Sequence, residues 1–401
     1  MGNIQLNLLS KIKKYLFTVN NSNFAPKFDS IVYLATYSNY IGSYILKSFS
    51  NIKKTDNLLY ILKYILQDFL YSLNYINYSI HYKKPKNEFN KVIMTWAFKN
   101  NFNSNGVLKD RYFNISSNSL KKTLWFVVYM SDIIPKKIAN NIIILKPRNK
   151  KSLNFFLLLK ILLKNLFFLF KDFKYFLSLI SNHNFFSKIF NKEIQPFLSK
   201  KIKYLLMPYE GQPFQNDLIS FIKKKKYKIE TIGYIHSPPL ALPSNFVFKN
   251  DSPDKIILNG EDQKYCFTKI LGWKKSRIKL LPSFRFLKST FNYKNTIFLP
   301  LAVREFKIII EALKYLNKNF SINLKKFNIR NHPAASNSKI NLQAIKMINS
   351  LINNFSIKKD NKINYLIFVG SSGAIIEALE RGAKVIQIIE FPLFDIYSNK
   401  I

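Results

Sequence analysis

Tyr365-Leu-Ile-Phe-Val-Gly370-Ser371-Ser372-Gly373-Ala-Ile-Ile-Glu377-Ala-Leu-Glu-Arg-Gly382-Ala-Lys-Val-Ile386 is the stretch that decides the fold. The branched and aromatic run Leu366 to Val369 reads as a buried strand. Gly370 to Gly373 is a tight turn, Ala374 to Arg381 has helical spacing, and Gly382 is a stop signal. The apolar run Lys384 to Ile389 returns as the next strand. A strand–turn–helix–strand unit of this kind is the building block of a parallel α/β sheet. Its turn sets small residues and free backbone N–H groups at a helix start, where an anion can be held. Ser371 or Ser372 can cap that helix or bond a phosphate oxygen, and Glu377 follows one turn later. A plain capped crossover helix fits the same residues.

Working outward, the same grammar recurs. Thr296 to Pro300, Lys325 to Ile329 and the opening stretch supply strands, separated by helices over Val303 to Lys318 and 338–355. Upstream, strands are predicted at Ile31 to Thr36, Val92 to Trp96, Leu124 to Met130, Asn141 to Leu145, Lys203 to Pro208, Lys228 to Tyr234, Asp254 to Gly260 and Arg277 to Leu281. Helices are predicted at 56–75, Asn216 to Lys226 and Glu261 to Leu271. A polar stretch near 291–295 sets the boundary between an N-terminal α/β domain, residues 1–292, and a C-terminal one, residues 293–401.

Residues 152–180 are hydrophobic but interrupted by Lys160, Lys164, Lys171 and Lys174. No run between them is long enough to span a bilayer. At helical spacing these lysines fall within about 80° of one another, which makes a basic amphipathic helix. It either docks on anionic lipid or packs into its own domain with its lysines snorkelling.

The formal charge is +41, yet only seven of the 63 basic residues are Arg. Sequence-reading nucleic-acid binders rely on Arg for bidentate base contacts, so no specific nucleic acid is expected. The Lys, Asn, Ile and Phe bias has the look of an AT-rich genome, while the cationic surface remains attractive to acidic lipids and polymers. A single cysteine, Cys266, excludes an internal disulfide and a thiolate cluster. The four histidines have no metal-ligand spacing, so neither a metal nor a cofactor is expected. The N-terminus lacks a signal-peptide pattern, which predicts a cytoplasmic protein, and the cationic surface with the 152–180 helix is expected to hold it peripherally on the inner membrane.

Polar groups gather where strands end, the edge at which open α/β sheets bind ligands. His332-Pro333 follows one strand, with Arg330 beside it. Proline biases His332 toward extended backbone and aims its imidazole off the sheet, where it can meet a phosphate or give up a proton. Glu210-Gly211 follows another strand, and Glu210 is a candidate general base. His236, ahead of Pro238-Pro239, is a second candidate base, whereas Asp110, Arg111 and Asp132 read as structural.

His-Pro at one strand end, and Ser-Ser-Gly-x-x-x-Glu at the next helix start, resemble the GT-B glycosyltransferases of bacterial surface polysaccharides. Polysialyltransferases, capsule Kdo transferases and CDP-glycerol glycerophosphotransferases are the nearest in pattern. Pro208 to Phe214, Gly233 to Ser237, Asn259-Gly260 and Gly272-Trp273 also resemble a group of surface carbohydrate biosynthesis proteins. The resemblance covers roughly residues 200–395. It implies two Rossmann-like domains facing across a cleft. It further implies transfer of a sugar from a CMP-type donor to a lipid-linked or polymeric glycan, or transfer of a polyol phosphate from a CDP-type donor. A lipid- or polymer-binding relative without catalysis is the other implication. In that scheme His332, Ser371, Ser372 and Gly373 contact the donor phosphate with Arg330 nearby, Glu377 holds the ribose, and Glu210 is the base. Two departures stand out. Tyr209 occupies the first acidic place of the base motif, and the chain reaches Ile401 without the helices that usually return to the first domain, as in a truncated or minimal version.

Overall fold

The computed structural model describes residues 88–120, 122–147, 190–236, 244–285, 295–300, 306–320, 322–332, 338–356, 365–370 and 374–388. It also describes Tyr78–His81 and the single residues Ser10, Lys11, Lys14, Leu163, Leu166, Ser187, Val303, Ala335 and Ser372. The expected strand at 31–36 and helix at 56–75 lie outside these residues. Of the stretch 152–180, only Leu163 and Leu166 are described, both helical and exposed.

The described residues divide into two compact units. One takes those within Asn3–His236 and Leu242–Leu287, the other those within Lys288–Ile401. Each is α/β, built on its own sheet.

The larger unit carries eight strands: β1 (Tyr78–His81), β2 (Lys91–Ala97), β3 (Thr123–Tyr129), β4 (Ile142–Pro147), β5 (Tyr204–Pro208), β6 (Glu230–Tyr234), β7 (Lys255–Leu258) and β8 (Ile278–Leu280). Their order is β1-β4-β3-β2-β5-β6-β7-β8. Strands β2 to β8 are parallel, and β1 closes one edge antiparallel to β4. Every residue of β3 is buried, as its unbroken apolar sequence requires of a strand covered on both faces. Helix α1 (Pro213–Lys224) links β5 to β6 and turns Phe214, Leu218, Ile219 and Ile222 inward. Helix α2 (Glu261–Tyr265) runs on into a π-helical turn at Cys266–Ile270 before β8. The chain moves outward from β2 through β3 to β4, then returns to place β5 on the other side of β2. The carboxyl ends of β2 and β5 are therefore the switch point of the sheet, where a ligand crevice forms in folds of this kind.

The smaller unit has four parallel strands, β9 (Thr296–Phe298), β10 (Asn328–Arg330), β11 (Tyr365–Val369) and β12 (Lys384–Ile388), in the order β10-β9-β11-β12. Helices α3 (Phe306–Asn319), α4 (Lys339–Asn353) and α5 (Ala374–Glu380) connect them. Strand alternation divides β11 between two cores. Ile367 and Val369 join Leu313 of α3 and Ile348 of α4, while Leu366 and Phe368 join Ile375 and Ala378 of α5. Phe298 stacks flat on Phe368, ring centroids 4.5 Å apart. At the amino edge, Asn295 has a left-handed backbone, φ 38°. Its carbonyl accepts the Asn328 amide and its side chain accepts the Tyr365 amide, so one residue registers β9 against both neighbours.

The expected strand Lys325 to Ile329 begins late. Leu324–Lys326 forms a 3-10 turn instead, because Leu324 is drawn into the core and Phe327 follows it.

Candidate active site at the carboxyl edge of the larger sheet

Strand β5 delivers Tyr209 and Glu210 to the switch point. Tyr209 is buried, its hydroxyl donating to Asn216 Oδ1 at 2.7 Å and its amide to the Tyr234 carbonyl at 2.8 Å. Gln215, fully buried on α1, fixes the turn that follows. Its Oε1 accepts the amides of Glu210 and Gln212 at 3.0 and 3.1 Å, and its Nε2 donates to the Pro208 carbonyl at 2.7 Å. Asn245 Nδ2 donates to the Glu210 carbonyl at 2.5 Å. Gly211 turns with φ +64°, and a Cβ there would stand 2.3 Å from the Asn245 carbonyl oxygen. The backbone under Glu210 is thus held from both sides.

The Glu210 side chain is 28% exposed. Its Oε2 accepts from Gln212 Nε2 at 2.6 Å, and its Oε1 lies 3.4 Å from His236 Nε2. His236 stands just beyond β6, the strand beside β5, and is buried. The ring of Tyr112 meets it edge-on at 4.6 Å, and Trp96 of β2 packs on Tyr112 at 5.8 Å. His236 Nδ1 is buried and has no hydrogen-bond partner among the described residues. A buried polar atom left without a hydrogen bond is costly.

Tyr112 owes its place to Asp110. This buried carboxylate accepts the Tyr112 and Phe113 amides through Oδ1 at 2.9 and 2.6 Å, and Thr95 Oγ1 through Oδ2 at 2.5 Å. It closes an Asx-type turn that points the tyrosine at His236. Burial pushes the Asp110 carboxyl above its usual range, against the pull of these hydrogen bonds.

Burial also sets the charges of the pair. It lowers His236 to about 3, helped by the positive charge of Arg285. It raises the Glu210 carboxyl, with the Gln212 hydrogen bond opposing. The Tyr112 hydroxyl is raised by burial first and by the Glu210 charge second. The distance alone would suit an ion pair, but loss of hydration outweighs the attraction. The imidazole is neutral at working pH. A raised carboxyl leaning on a neutral imidazole is suited to taking a proton from a hydroxyl.

In the smaller unit, the switch point lies between β9 and β11. Gly370, with φ +72°, ends β11 by donating its amide to Ile388 and accepting Gln387 Nε2 at its carbonyl. Ser372 Oγ accepts the Ala374 amide at 3.3 Å, so this serine supports the helix start. Glu377 is half-buried on α5, a helix of seven residues. Ser371, Gly373 and Pro333 lie outside the described residues. Across β9, exposed Arg330 ends β10 and half-buried His332 follows. The His332 amide donates to Asn331 Oδ1 at 2.8 Å, and its carbonyl accepts the Ala335 amide. Asn341, fully buried on α4, donates to Asn331 Oδ1 at 2.7 Å and to the Pro300 carbonyl at 2.8 Å, and accepts the Val303 amide at 3.1 Å. The ends of β9 and β10 are pinned together, with His332 on the pinned turn. Arg330 and His332 therefore flank one side of the β9 end, and Ser372 and Glu377 the other. Glu210 belongs to the larger unit.

Sequence reasoning missed Tyr112, Arg285, Gln212, Gln215, Asn331 and Asn341 as contributors. Only Gln212-Pro-Phe-Gln215 carries a readable signal, a polar residue three places into a helix that begins with proline.

No family model and no curated protein matches the chain. Among solved structures it is similar to an α,α-trehalose 6-phosphate synthase from Burkholderia multivorans, at 8% identity, 77% of this chain, 87% of that one and a TM-score of 0.43. It is similar to a glycosyltransferase from Rickettsia africae, at 12% identity, 75% and 79% coverage and a TM-score of 0.35. A UDP-forming α,α-trehalose-phosphate synthase from Burkholderia vietnamiensis follows, at 8% identity, 77% and 87% coverage and a TM-score of 0.39. Likeness at this level carries no assignment of activity to this chain.

Proposed function

We propose that the protein is a glycosyltransferase of GT-B type, moving a sugar from a CMP-activated donor to a surface glycan acceptor. The supporting observation is the Glu210–His236 contact at the switch point of the larger sheet, where a shielded carboxyl meets a buried neutral imidazole. In this reading the larger unit holds the acceptor and the smaller unit the donor. Glu210 takes the proton of the acceptor hydroxyl as its oxygen bonds to the anomeric carbon of the sugar. The bond from that carbon to the phosphate oxygen breaks, and CMP departs with the electron pair. His332, Ser371, Ser372 and Gly373 meet the phosphate charge with Arg330, and Glu377 bonds the ribose.

Calorimetric titration with CMP and CDP tests this reading. Binding of CMP, weakened in His332→Ala, is expected; no binding of either nucleotide sinks it. CDP bound more tightly than CMP selects polyol-phosphate transfer instead.

A further inference from the structure

The edge that carries the reactive pair also carries an apolar tip. Phe98 follows β2 and Met130 follows β3, and the Met130 amide donates to the Ala97 carbonyl at 2.9 Å, so the two residues are neighbours. The next turn folds back on them. Lys99 N donates to Ser131 Oγ at 2.9 Å, the Tyr129 hydroxyl donates to the Ile133 carbonyl, and Lys146 Nζ donates to the Asp132 carbonyl. Phe98, Met130 and Ile133 are 44, 56 and 63% exposed. Single exposed apolar residues are ordinary, but three large ones on two adjoining strand-end turns tied together by hydrogen bonds are not.

Their surroundings are cationic. Lys99, Arg111, Lys136 and Lys137 are exposed, and the Arg111 guanidinium lies over the Phe98 ring, 5.9 Å from its centroid. Asp132 is the one acid in the 130–137 turn. Cations around an apolar apex match an anionic bilayer, where apolar side chains enter the acyl boundary and Lys and Arg meet headgroup phosphates. A second copy of this surface would bring like charges together. A soluble acidic polymer would satisfy the cations and leave the apex in water.

We infer that the Phe98–Met130–Ile133 tip, with Lys99, Arg111 and Lys136 around it, docks the protein on an anionic lipid surface. The inference rests on these residues and not on the transferase reading. The tip adjoins the reactive pair: Trp96, two residues before Phe98, touches Tyr112, and Tyr112 touches His236. Docking would hold the Glu210 edge against the membrane.

The test uses the full chain with Cys266, its single and buried thiol, replaced by Ala, and an environment-sensitive dye on Ile133→Cys. Vesicles of phosphatidylcholine and phosphatidylglycerol in equal parts should pellet the protein and shift the dye to the blue. Phosphatidylcholine vesicles and soluble polyglutamate should do neither. The triple variant Phe98→Ser, Met130→Ser, Ile133→Ser, at positions that support no core, should partition about tenfold more weakly. Any of four results overturns the inference: no pelleting with anionic vesicles, pelleting without a dye shift, an equal shift with polyglutamate, or a triple variant that partitions like the parent. None of these readouts depends on nucleotide binding, so the tip and the transferase reading can fail separately.

Discussion

Glu210 Oε1 lies 3.4 Å from His236 Nε2, and the two residues stand just beyond the carboxyl ends of adjacent parallel strands. They are 26 positions apart in sequence. Strand pairing makes them neighbours, and burial makes the contact one between a carboxyl and a neutral ring.

If Glu210 is the base, Glu210→Gln should lower transfer by about a hundred- to ten-thousand-fold while leaving CMP affinity unchanged. The parent rate should rise with pH through a carboxyl step above the ordinary glutamate range, since burial raises Glu210. That step should vanish in Glu210→Gln. A pH–rate profile that keeps it assigns the step elsewhere.

His236 should make stability depend on pH. Its folded value, lowered to about 3, lies below the ordinary 6.5, so the unfolded chain binds the extra proton between them. The contribution is complete above 6.5 and is lost as pH falls toward 3. Glu210 acts in the opposite sense, its raised carboxyl costing stability as pH rises above 4.5. Raising the pH from 5 to 7 should therefore move the urea midpoint less in favour of the folded state in His236→Phe than in the parent, because Phe keeps an aromatic edge for Tyr112 and removes the titration.

Gly211→Ala should destabilise more than Gly272→Ala. Both sites have positive φ, which costs a non-glycine residue about 1–2 kcal/mol. A Cβ at Gly211 also meets the Asn245 carbonyl at 2.3 Å, whereas at Gly272 its nearest neighbour is Phe248 Cβ at 3.9 Å. Equal losses in chemical denaturation would mean that the Asn245 backbone yields. Glu210 moves with that turn, so transfer should fall in Gly211→Ala alone.

Asn341→Asp should be as damaging to the smaller unit as Asn341→Ala, about 2–4 kcal/mol in denaturant unfolding. The buried amide donates to two oxygens, Pro300 O and Asn331 Oδ1, and a carboxylate would face both with lone pairs. A mild Asn341→Asp phenotype would show that the pin between β9 and β10 is dispensable.

Among the described residues, strands were legible where apolar residues ran unbroken. Leu124 to Val128 reads as a buried strand because both faces of β3 are covered. Glu210, His236, Arg330 and His332 were legible as strand-end residues. Tyr112 was not, since its place depends on Asp110 receiving Thr95 from another segment. Asn341 was equally silent: a polar residue in an amphipathic helix reads as solvent-facing until its partners beyond the ends of β9 and β10 are known. Local pattern carries the elements, and contacts distant in sequence carry the site. The start of β10 shows the converse, where core demand for Leu324 overrode a local strand pattern.

Asn295 bears on how the chain must fold. It registers β9 against Asn328 and against Tyr365, a residue 70 positions later. In the larger sheet Lys91 of β2 waits for Tyr204 of β5. Neither sheet can close from consecutive hairpins, and each central strand must stay unpaired on one side until a distant segment has been synthesised. During that interval β9 and β2 expose apolar, unpaired edges, the condition under which nascent chains aggregate or need a chaperone. Slow, loop-limited assembly is the kinetic cost of building two parallel sheets whose strand order reverses at a central strand.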